Sequence, residues 1–129
     1  MGKAEVVLAI DDNLVMLDMI KSMLAAQYDV RLVNSATNAI SFLNNNHADI
    51  ILLDIEMPNI SGFDFLDDIR KIPSYMHVPI IIISGNTGQE FFRQARNSSA
   101  YDVLTKPVNK ETLIKTIKKA LAASVQGDS

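Results

Sequence analysis

Acidic, hydroxyl and basic side chains stand at the ends of four short apolar runs in this sequence. In chain order they are Asp11-Asp12, Asp54, Ser84-Gly85 and Lys106-Pro107. Three carboxylates brought together repel one another strongly, and a hard cation such as Mg²⁺ among their oxygens relieves that repulsion. A hydroxyl, a glycine that admits a ligand to the backbone and an ammonium suit a phosphoryl group with its spread negative charge. If the fold gathers these residues, the chemistry they favour is metal-assisted phosphoryl transfer.

Asp54 is the strongest candidate for the reacting group. A carboxylate can act as a nucleophile and form an aspartyl phosphate, and a metal ion lowers its repulsion from the incoming anion. Asp54 is the lone acid at the end of its run, whereas the adjacent pair Asp11-Asp12 is better suited to holding the cation. We predict that Asp54 is the phosphoacceptor and that the three acids contribute to a site for Mg²⁺ or Mn²⁺.

Each of these features also has a simpler explanation when it is taken alone. An acidic pair after a strand can cap the following helix, a serine there can belong to a turn, and a lysine is usually a solvated surface charge. For Asp11-Asp12 alone the two interpretations have similar weight. The joint occurrence of Asp54, Ser84 and Lys106 at the other strand ends favours a common site.

Five apolar runs alternate with five longer segments of helical spacing, which predicts five strands and five helices. The predicted strands are Glu5 to Ile10, Asp29 to Val33, Asp49 to Leu53, Pro79 to Ile83 and Asp102 to Thr105. The predicted helices are Leu14 to Tyr28, Ala36 to Leu43, Phe63 to Ile72, Gln89 to Arg96 and Lys110 to Ala122. Ser35 and Asn109 are predicted N-caps, because their side chains can accept from unpaired N–H groups of the first turn. Met16, Met19 and Met23 lie at helical spacing and are predicted to pack against the sheet.

The third and fourth strands are continuously apolar, which indicates that the sheet is parallel and buried on both faces. Strict alternation with right-handed crossovers predicts one doubly wound α/β domain of flavodoxin-like strand order 2-1-3-4-5. In such a sheet ligands bind at the carboxyl ends of strands one and three, where the strand order reverses. The domain is predicted to span residues 1–122, with residues 123–129 as a flexible tail.

The composition restricts the partners and the compartment. The chain has 129 residues, of which 48% are hydrophobic, so one domain with a sizeable core is expected. It has no cysteine, which excludes disulfides and thiolate metal sites, and no apolar run approaches the roughly 20 residues that cross a bilayer. The net charge of -3 gives no broad basic surface for nucleic acid. We expect a cytoplasmic protein that binds neither nucleic acid nor membranes and acts on a protein partner or a small anion.

In order and spacing, these residues resemble the receiver domain of response regulators in two-component signalling, the CheY-like family, over roughly Val6 to Leu121. The matching motifs are Asp11-Asp12, the segment Leu52 to Pro58 followed by Gly62, Ser84-Gly85 and Lys106-Pro107. The resemblance implies that a sensor histidine kinase or a histidine phosphotransfer protein donates a phosphoryl group to Asp54. It further implies that the domain catalyses only its own modification and controls a downstream protein effector or a fused output domain.

The resemblance also implies individual roles for the site residues. The side chains of Asp12 and Asp54 would be metal ligands, Asp11 would act mainly through water, and the Glu56 backbone carbonyl would complete the site. The phosphoryl group would be held by residues from the ends of strands four and five. These are Ser84, the backbone of Gly85 and Lys106.

The sequence departs from the pattern of this family at positions that would transmit the signal from the site to the surface. Ser84 and Val103 stand at the switch positions, but the family usually has Tyr or Phe in place of Val103, and Tyr101 lies two residues earlier. Ser99-Ala100 replaces the common Gly-Ala. We expect a small, backbone-led change and a partner surface on helix four, strand five and helix five. The residues expected on that surface are Phe91, Arg96, Tyr101 and Lys118.

Two other functions fit part of the pattern. The first is a metal-dependent phosphatase with an Asp nucleophile, because Asp54-Ile55-Glu56 resembles the acid pair of such enzymes, although no segment for a substrate-covering cap is found. The second is a degenerate receiver that serves only as a docking module. The complete set of Asp12, Asp54, Ser84 and Lys106 argues against it.

Overall fold

A computed structural model describes residues 4–127 as strands and helices that alternate along the chain. The strands are β1 (Val6–Ile10), β2 (Asp29–Val33), β3 (Ile50–Asp54), β4 (Ile80–Ser84) and β5 (Asp102–Thr105). The helices are α1 (Leu14–Leu24), α2 (Ala36–Asn45), α3 (Gly62–Arg70), α4 (Gln89–Arg96) and α5 (Lys110–Gly127), with a short 3₁₀ turn at Pro73–Tyr75. None of the helices in the described part of the chain is long and apolar enough to span a bilayer.

The five strands form one parallel sheet in the order β2-β1-β3-β4-β5. β1 pairs with both β2 and β3, so the strand order reverses between β1 and β3. This confirms the predicted doubly wound, flavodoxin-like fold. The carboxyl ends of β1 and β3 therefore lie side by side at one edge of the sheet.

The sheet separates two hydrophobic clusters, which explains why β3 and β4 have no polar face. Every residue of these two strands is buried. Along β3, Ile50 and Leu52 join the cluster under α1 and α5, whereas Ile51 and Leu53 join the cluster under α2, α3 and α4. Full burial of each such side chain stabilises the fold by about 1.5–3 kcal/mol.

Local hydrogen bonds set most helix starts where the sequence predicts them. The side chains of Ser35 and Asn109 accept from backbone N–H groups three residues later, which confirms both as N-caps. Four helix ends differ from the prediction: α2 ends two residues later, at Asn45, α3 ends two residues earlier, at Arg70, and the ends of α1 and α5 differ by more. α1 ends at Leu24 because its carbonyl accepts from the Tyr28 N–H and turns the chain before β2. α5 continues past the predicted end to Gly127, because small alanines favour helix and no proline interrupts them; the last two residues of the predicted tail lie outside the described residues.

The methionines of α1 do not all face the sheet. Met16 is buried and Met23 packs against the core beneath α1, but Met19 is 43% exposed, so the prediction for Met19 is wrong. The buried stripe of α1 also includes Leu17 and Leu24, and it is therefore centred to one side of the methionine row. Met19 is left at its edge.

The guanidinium of Arg70, the last residue of α3, forms hydrogen bonds with the segments that precede β4 and β5, at the amino ends of these strands. It donates to the carbonyls of Tyr75 (2.8 Å) and Val78 (2.6 Å), which precede β4. It also donates to Oγ (2.9 Å) and to the carbonyl (2.8 Å) of Ser99, which precedes β5. These bonds explain the serine at position 99, because a glycine would lack the hydroxyl acceptor.

Candidate functional site

Three carboxylates converge where the strand order reverses. Asp11 directly follows β1 and Asp54 ends β3, and the neighbouring register pairs Ile10 with Leu53. Asp11, Asp12 and Asp54 each offer a carboxylate oxygen, and these oxygens all lie within 4.8 Å of one another. Asp11 and Asp54 are buried whereas Asp12 is exposed. Such a set of oxygen donors, open on one side, can bind a divalent cation.

The Asp11 carboxyl group is buried and lies beside the Asp54 carboxylate. Burial, and after it the neighbouring Asp54 carboxylate through a hydrogen bond and charge repulsion, raise the pKa of Asp11 from its ordinary 3.8 to about 6. The Asn13 N–H, which donates to Asp11 Oδ1 at 2.9 Å, and the Lys106 ammonium act in the opposite direction. A proton and a cation therefore compete for this group.

Asp54 is held at both carboxylate oxygens. The Glu56 N–H donates to Oδ1 at 2.9 Å, and the Lys106 ammonium lies 3.4 Å from Oδ2. The same ammonium lies 3.8 Å from Oδ2 of Asp11, and the Lys106 N–H donates to the Ser84 carbonyl at 2.8 Å. The backbone of β4 thus places Lys106 beside the acidic cluster. The Lys106-Pro107 peptide bond is cis.

The end of β4 supplies the expected hydroxyl and N–H donors, but both contact a side chain in this structure. Ser84 is buried, and its hydroxyl donates to Oε1 of Glu56 at 3.0 Å while accepting from the Asn86 N–H at 2.9 Å. The Gly85 N–H donates to the same Oε1 at 2.9 Å. The resemblance implied a role for the Glu56 backbone carbonyl, but the contact of its carboxylate with Ser84 and Gly85 was not predicted. An acid two residues beyond a strand end, beside a neighbouring hydroxyl, was the available signal.

The loop after Asp54 is shaped by close backbone packing. A Cβ at Gly62 would overlap the Ile55 carbonyl oxygen and side chain, so only glycine fits at the start of α3. Asn59 has a φ of 67°, a left-handed conformation that asparagine tolerates better than most residues. These two positions turn the chain sharply away from the acidic cluster.

The predicted switch and partner positions are divided between the site and its surroundings. Val103 is half-buried in β5 opposite Ile82 and packs against the core. Tyr101 precedes β5 and is 42% exposed, so it belongs to the rim and not to the site. Phe91, expected on the partner surface, is instead buried and stacks near Phe63 with ring centroids 5.9 Å apart. An amphipathic helix of eight residues must use its few large apolar groups for the core.

The fold and this site define a class of protein. The family model described as "Response regulator receiver domain" matches residues 7–118, which is most of the chain. The chain belongs to the response regulator receiver domain family of two-component systems.

Similar proteins contain this domain as very different shares of their length. The chain is 34% identical over 105 residues to the two-component response regulator ORR12 of Oryza sativa subsp. japonica, covering 79% of this chain and 86% of that protein. It is 33% identical over 119 residues to the 3',5'-cyclic-nucleotide phosphodiesterase regA of Dictyostelium discoideum, covering 89% of this chain but 15% of that protein. The solved structure of the chemotaxis protein CheY4 of Vibrio cholerae is also similar, with a TM-score of 0.85 and 29% identity, covering 92% of this chain and 99% of that one.

Proposed function

We propose that this receiver domain accepts a phosphoryl group on Asp54 from a histidine kinase or a histidine phosphotransfer protein, and that the modification switches its protein contacts. The observation that carries the proposal is the surroundings of Asp54. Its carboxylate lies 3.4 Å from the Lys106 ammonium and within 4.8 Å of oxygens of Asp11 and Asp12. A nucleophile beside a fixed cation and a cation-binding cluster is the arrangement that phosphoryl transfer requires.

The transfer moves a phosphoryl group between two protein side chains. An Asp54 carboxylate oxygen attacks the phosphorus of a phosphohistidine, and the new O–P bond forms as the P–N bond breaks. The electron pair of that bond returns to the imidazole nitrogen of the donor. Lys106 stays paired with the phosphorylated carboxylate, while the Ser84 hydroxyl and the Gly85 N–H take phosphoryl oxygens.

The acidic cluster fits a hard divalent cation, and we propose Mg²⁺ or Mn²⁺. The side chains of Asp12 and Asp54 would bind it directly, Asp11 would act mainly through water, and the Glu56 carbonyl would complete the protein ligands. When bound, the cation would supply charge neutralisation between the carboxylates and the incoming phosphoryl group.

The phosphatase alternative is less well supported. Its general acid would have to be Glu56, yet the Glu56 carboxyl group is held at the end of β4 by the Ser84 hydroxyl and the Gly85 N–H. A docking-only receiver has no need for the Lys106 contact with Asp54. We propose that the domain turns over no separate substrate, acts in the cytoplasm and signals to a protein effector or a fused output domain.

The phosphoacceptor is tested with acetyl phosphate and Mg²⁺, read by intact-protein mass. Asp54→Asn should abolish labelling, because an amide is a poor nucleophile. Asp67→Asn, the same change at an exposed position of α3, is the matched control and should be labelled like the wild type. Phosphate on another residue of Asp54→Asn at an unchanged rate would refute the assignment.

A further inference from the structure

The Glu56 carboxylate occupies the hydrogen-bond donors at the end of β4. One oxygen, Oε1, accepts from both the Ser84 hydroxyl (3.0 Å) and the Gly85 N–H (2.9 Å). Ser84 ends β4 and Gly85 follows it directly, and β4 pairs with β3 so that Asp54 lies opposite Ile83, one residue before Ser84. Both donors are therefore directed at an anion in the immediate neighbourhood of the phosphoacceptor.

Occupation by Glu56 and binding of a phosphoryl oxygen are mutually exclusive at these donors. A serine hydroxyl has one proton to donate, and that of Ser84 goes to Glu56. Its oxygen already accepts from the Asn86 N–H, so the hydroxyl has both a fixed donor and a fixed acceptor partner. The Gly85 N–H likewise has one proton, which the same carboxylate accepts.

We infer that the Glu56 carboxylate is an internal competitor of the phosphoryl group: it holds Ser84 and Gly85 in the unmodified protein and must leave them when Asp54 is phosphorylated. This inference rests on the proposed function of Asp54. It makes Glu56 a positioning residue, because it acts on the donors and not on the reacting atoms.

The same residue also connects the acceptor with the β4–α4 loop. The Glu56 N–H donates to Asp54 Oδ1 at 2.9 Å, while its carboxylate accepts from the last residue of β4, Ser84, and from the first residue of the following loop, Gly85. Displacement of the carboxylate transfers these two hydrogen bonds from Glu56 to the phosphoryl group. The acceptor that holds the start of the loop from Gly85 to Gly88 then changes from Glu56 to the phosphoryl group, which provides a route for the signal that does not need an aromatic residue at position 103.

The competition is measured by titrating the full chain with beryllofluoride, a phosphoryl mimic, at saturating Mg²⁺. Glu56→Ala frees both donors, and hydrogen bonds to a charged group are worth enough that we expect about tenfold tighter binding than in the wild type. Glu56→Gln keeps an acceptor oxygen but loses the charge, so it should lie between the two. Glu5→Gln, which removes one charge just before β1 at the opposite edge of the sheet, is the control and should bind like the wild type.

A second measurement reads the contact itself. In Mg²⁺-free protein without the mimic, the Gly85 amide proton should shift upfield in Glu56→Ala, because a carboxylate acceptor is lost. The gain in beryllofluoride affinity from Glu56→Ala should also shrink in a Ser84→Ala background, since one of the contested donors is then absent.

The outcomes separate the two proposals. Equal affinities for wild type and Glu56→Ala would overturn the competition and leave the phosphoacceptor assignment intact. Equal affinities for Glu56→Ala and Glu56→Gln would also overturn it, because charge repulsion alone would then explain the effect. If neither the wild type nor any variant binds beryllofluoride, the proposed function of Asp54 fails, and the inference fails with it.

Discussion

The Lys106 ammonium lies 3.4 Å from Oδ2 of Asp54, across the gap between β3 and β5. β4 lies between these two strands, so residues 52 positions apart in the sequence meet at one edge of the sheet. The pair balances part of the charge on the acceptor before any donor arrives.

Replacement of Lys106 should slow the phosphorylation of Asp54. Lys106→Met keeps most of the aliphatic stem but removes the ammonium, and loss of a preorganised charge at a reacting group slows a reaction by about 10²-fold. Initial rates with acetyl phosphate and Mg²⁺ measure this. Lys110→Met, on an exposed residue of α5, is the matched control. A Lys106→Met protein with wild-type rates would show that the ammonium is only a surface charge.

The stability of the Mg²⁺-free protein should fall as the pH rises through the titration of Asp11. The ordinary pKa of the group is 3.8, and burial raises it to about 6 in the folded protein. The folded state therefore holds the proton more tightly, so the stabilisation is complete below the ordinary pKa and is lost as the pH rises through the folded value. The contribution falls by at most about 1.4 kcal/mol per pH unit. Urea unfolding of the wild type and of Asp11→Asn, both in the presence of a chelator, measures the contribution of Asp11 to the free energy of unfolding. A difference between wild type and Asp11→Asn that does not vary with pH would contradict the prediction.

Asp12 should affect metal binding without supporting the fold. Its side chain is exposed, so Asp12→Ala should change the free energy of unfolding of the Mg²⁺-free protein by no more than about 0.5 kcal/mol. The same substitution should weaken Mg²⁺ binding by about tenfold or more, because one charged oxygen ligand is lost. Isothermal titration with Mg²⁺ measures the affinity, with exposed Asp18→Ala of α1 as the control. Unchanged affinity would remove Asp12 from the site.

Arg70 should contribute strongly to stability. Arg70→Met removes four hydrogen bonds and leaves three backbone carbonyls with fewer partners. We expect a loss of about 2–4 kcal/mol in the free energy of unfolding, measured by urea denaturation. Arg96→Met, on the exposed surface of α4, should lose far less. If Arg70→Met and Arg96→Met lost similar free energies of unfolding, the hydrogen bonds of Arg70 would contribute little beyond the bonds that water can make to the same groups.

Activation should alter the loop from Gly85 to Gly88 and the start of α4 more than β5. Val103 is β-branched and half-buried, so it has little rotamer freedom with which to respond. Amide shifts recorded with and without beryllofluoride test this. Large changes restricted to α1, with α4 silent, would show that the signal leaves by another route.

The general arrangement of the site could be predicted from the sequence because it depends on strand periodicity and parallel pairing. Continuous apolar runs at β3 and β4 predict burial on both faces, and parallel strands bring Asp11, Asp54 and Ser84 to one edge. The conformations of individual side chains could not be predicted in this way. The contact of Glu56 with Ser84 depends on which rotamer satisfies donors from another strand, a property that spacing along the chain does not contain.

The burial of individual helix residues and the hydrogen bonds between distant segments also could not be predicted from spacing along the chain. Whether Met19 or Phe91 is buried depends on how each helix is rotated against its neighbours. The bonds of Arg70 to Ser99 join segments 29 residues apart and have no local signature in the sequence.

The four bonds of Arg70 join the segments that lead into β4 and β5, at the ends of these strands that are far from the acceptor. Val78 and Ser99 precede the two strands and are held by the guanidinium, whereas Ser84 and Lys106 stand at the far ends beside the acceptor. The two strands are thus joined by a side chain at one end, and the acceptor site lies at the other end. We therefore expect a displacement caused at the acceptor to be largest at the carboxyl ends of the two strands and to decrease toward Arg70. If these bonds limit spontaneous rearrangement of the two strands, loss of Arg70 should raise the population of the active conformation in the unmodified protein.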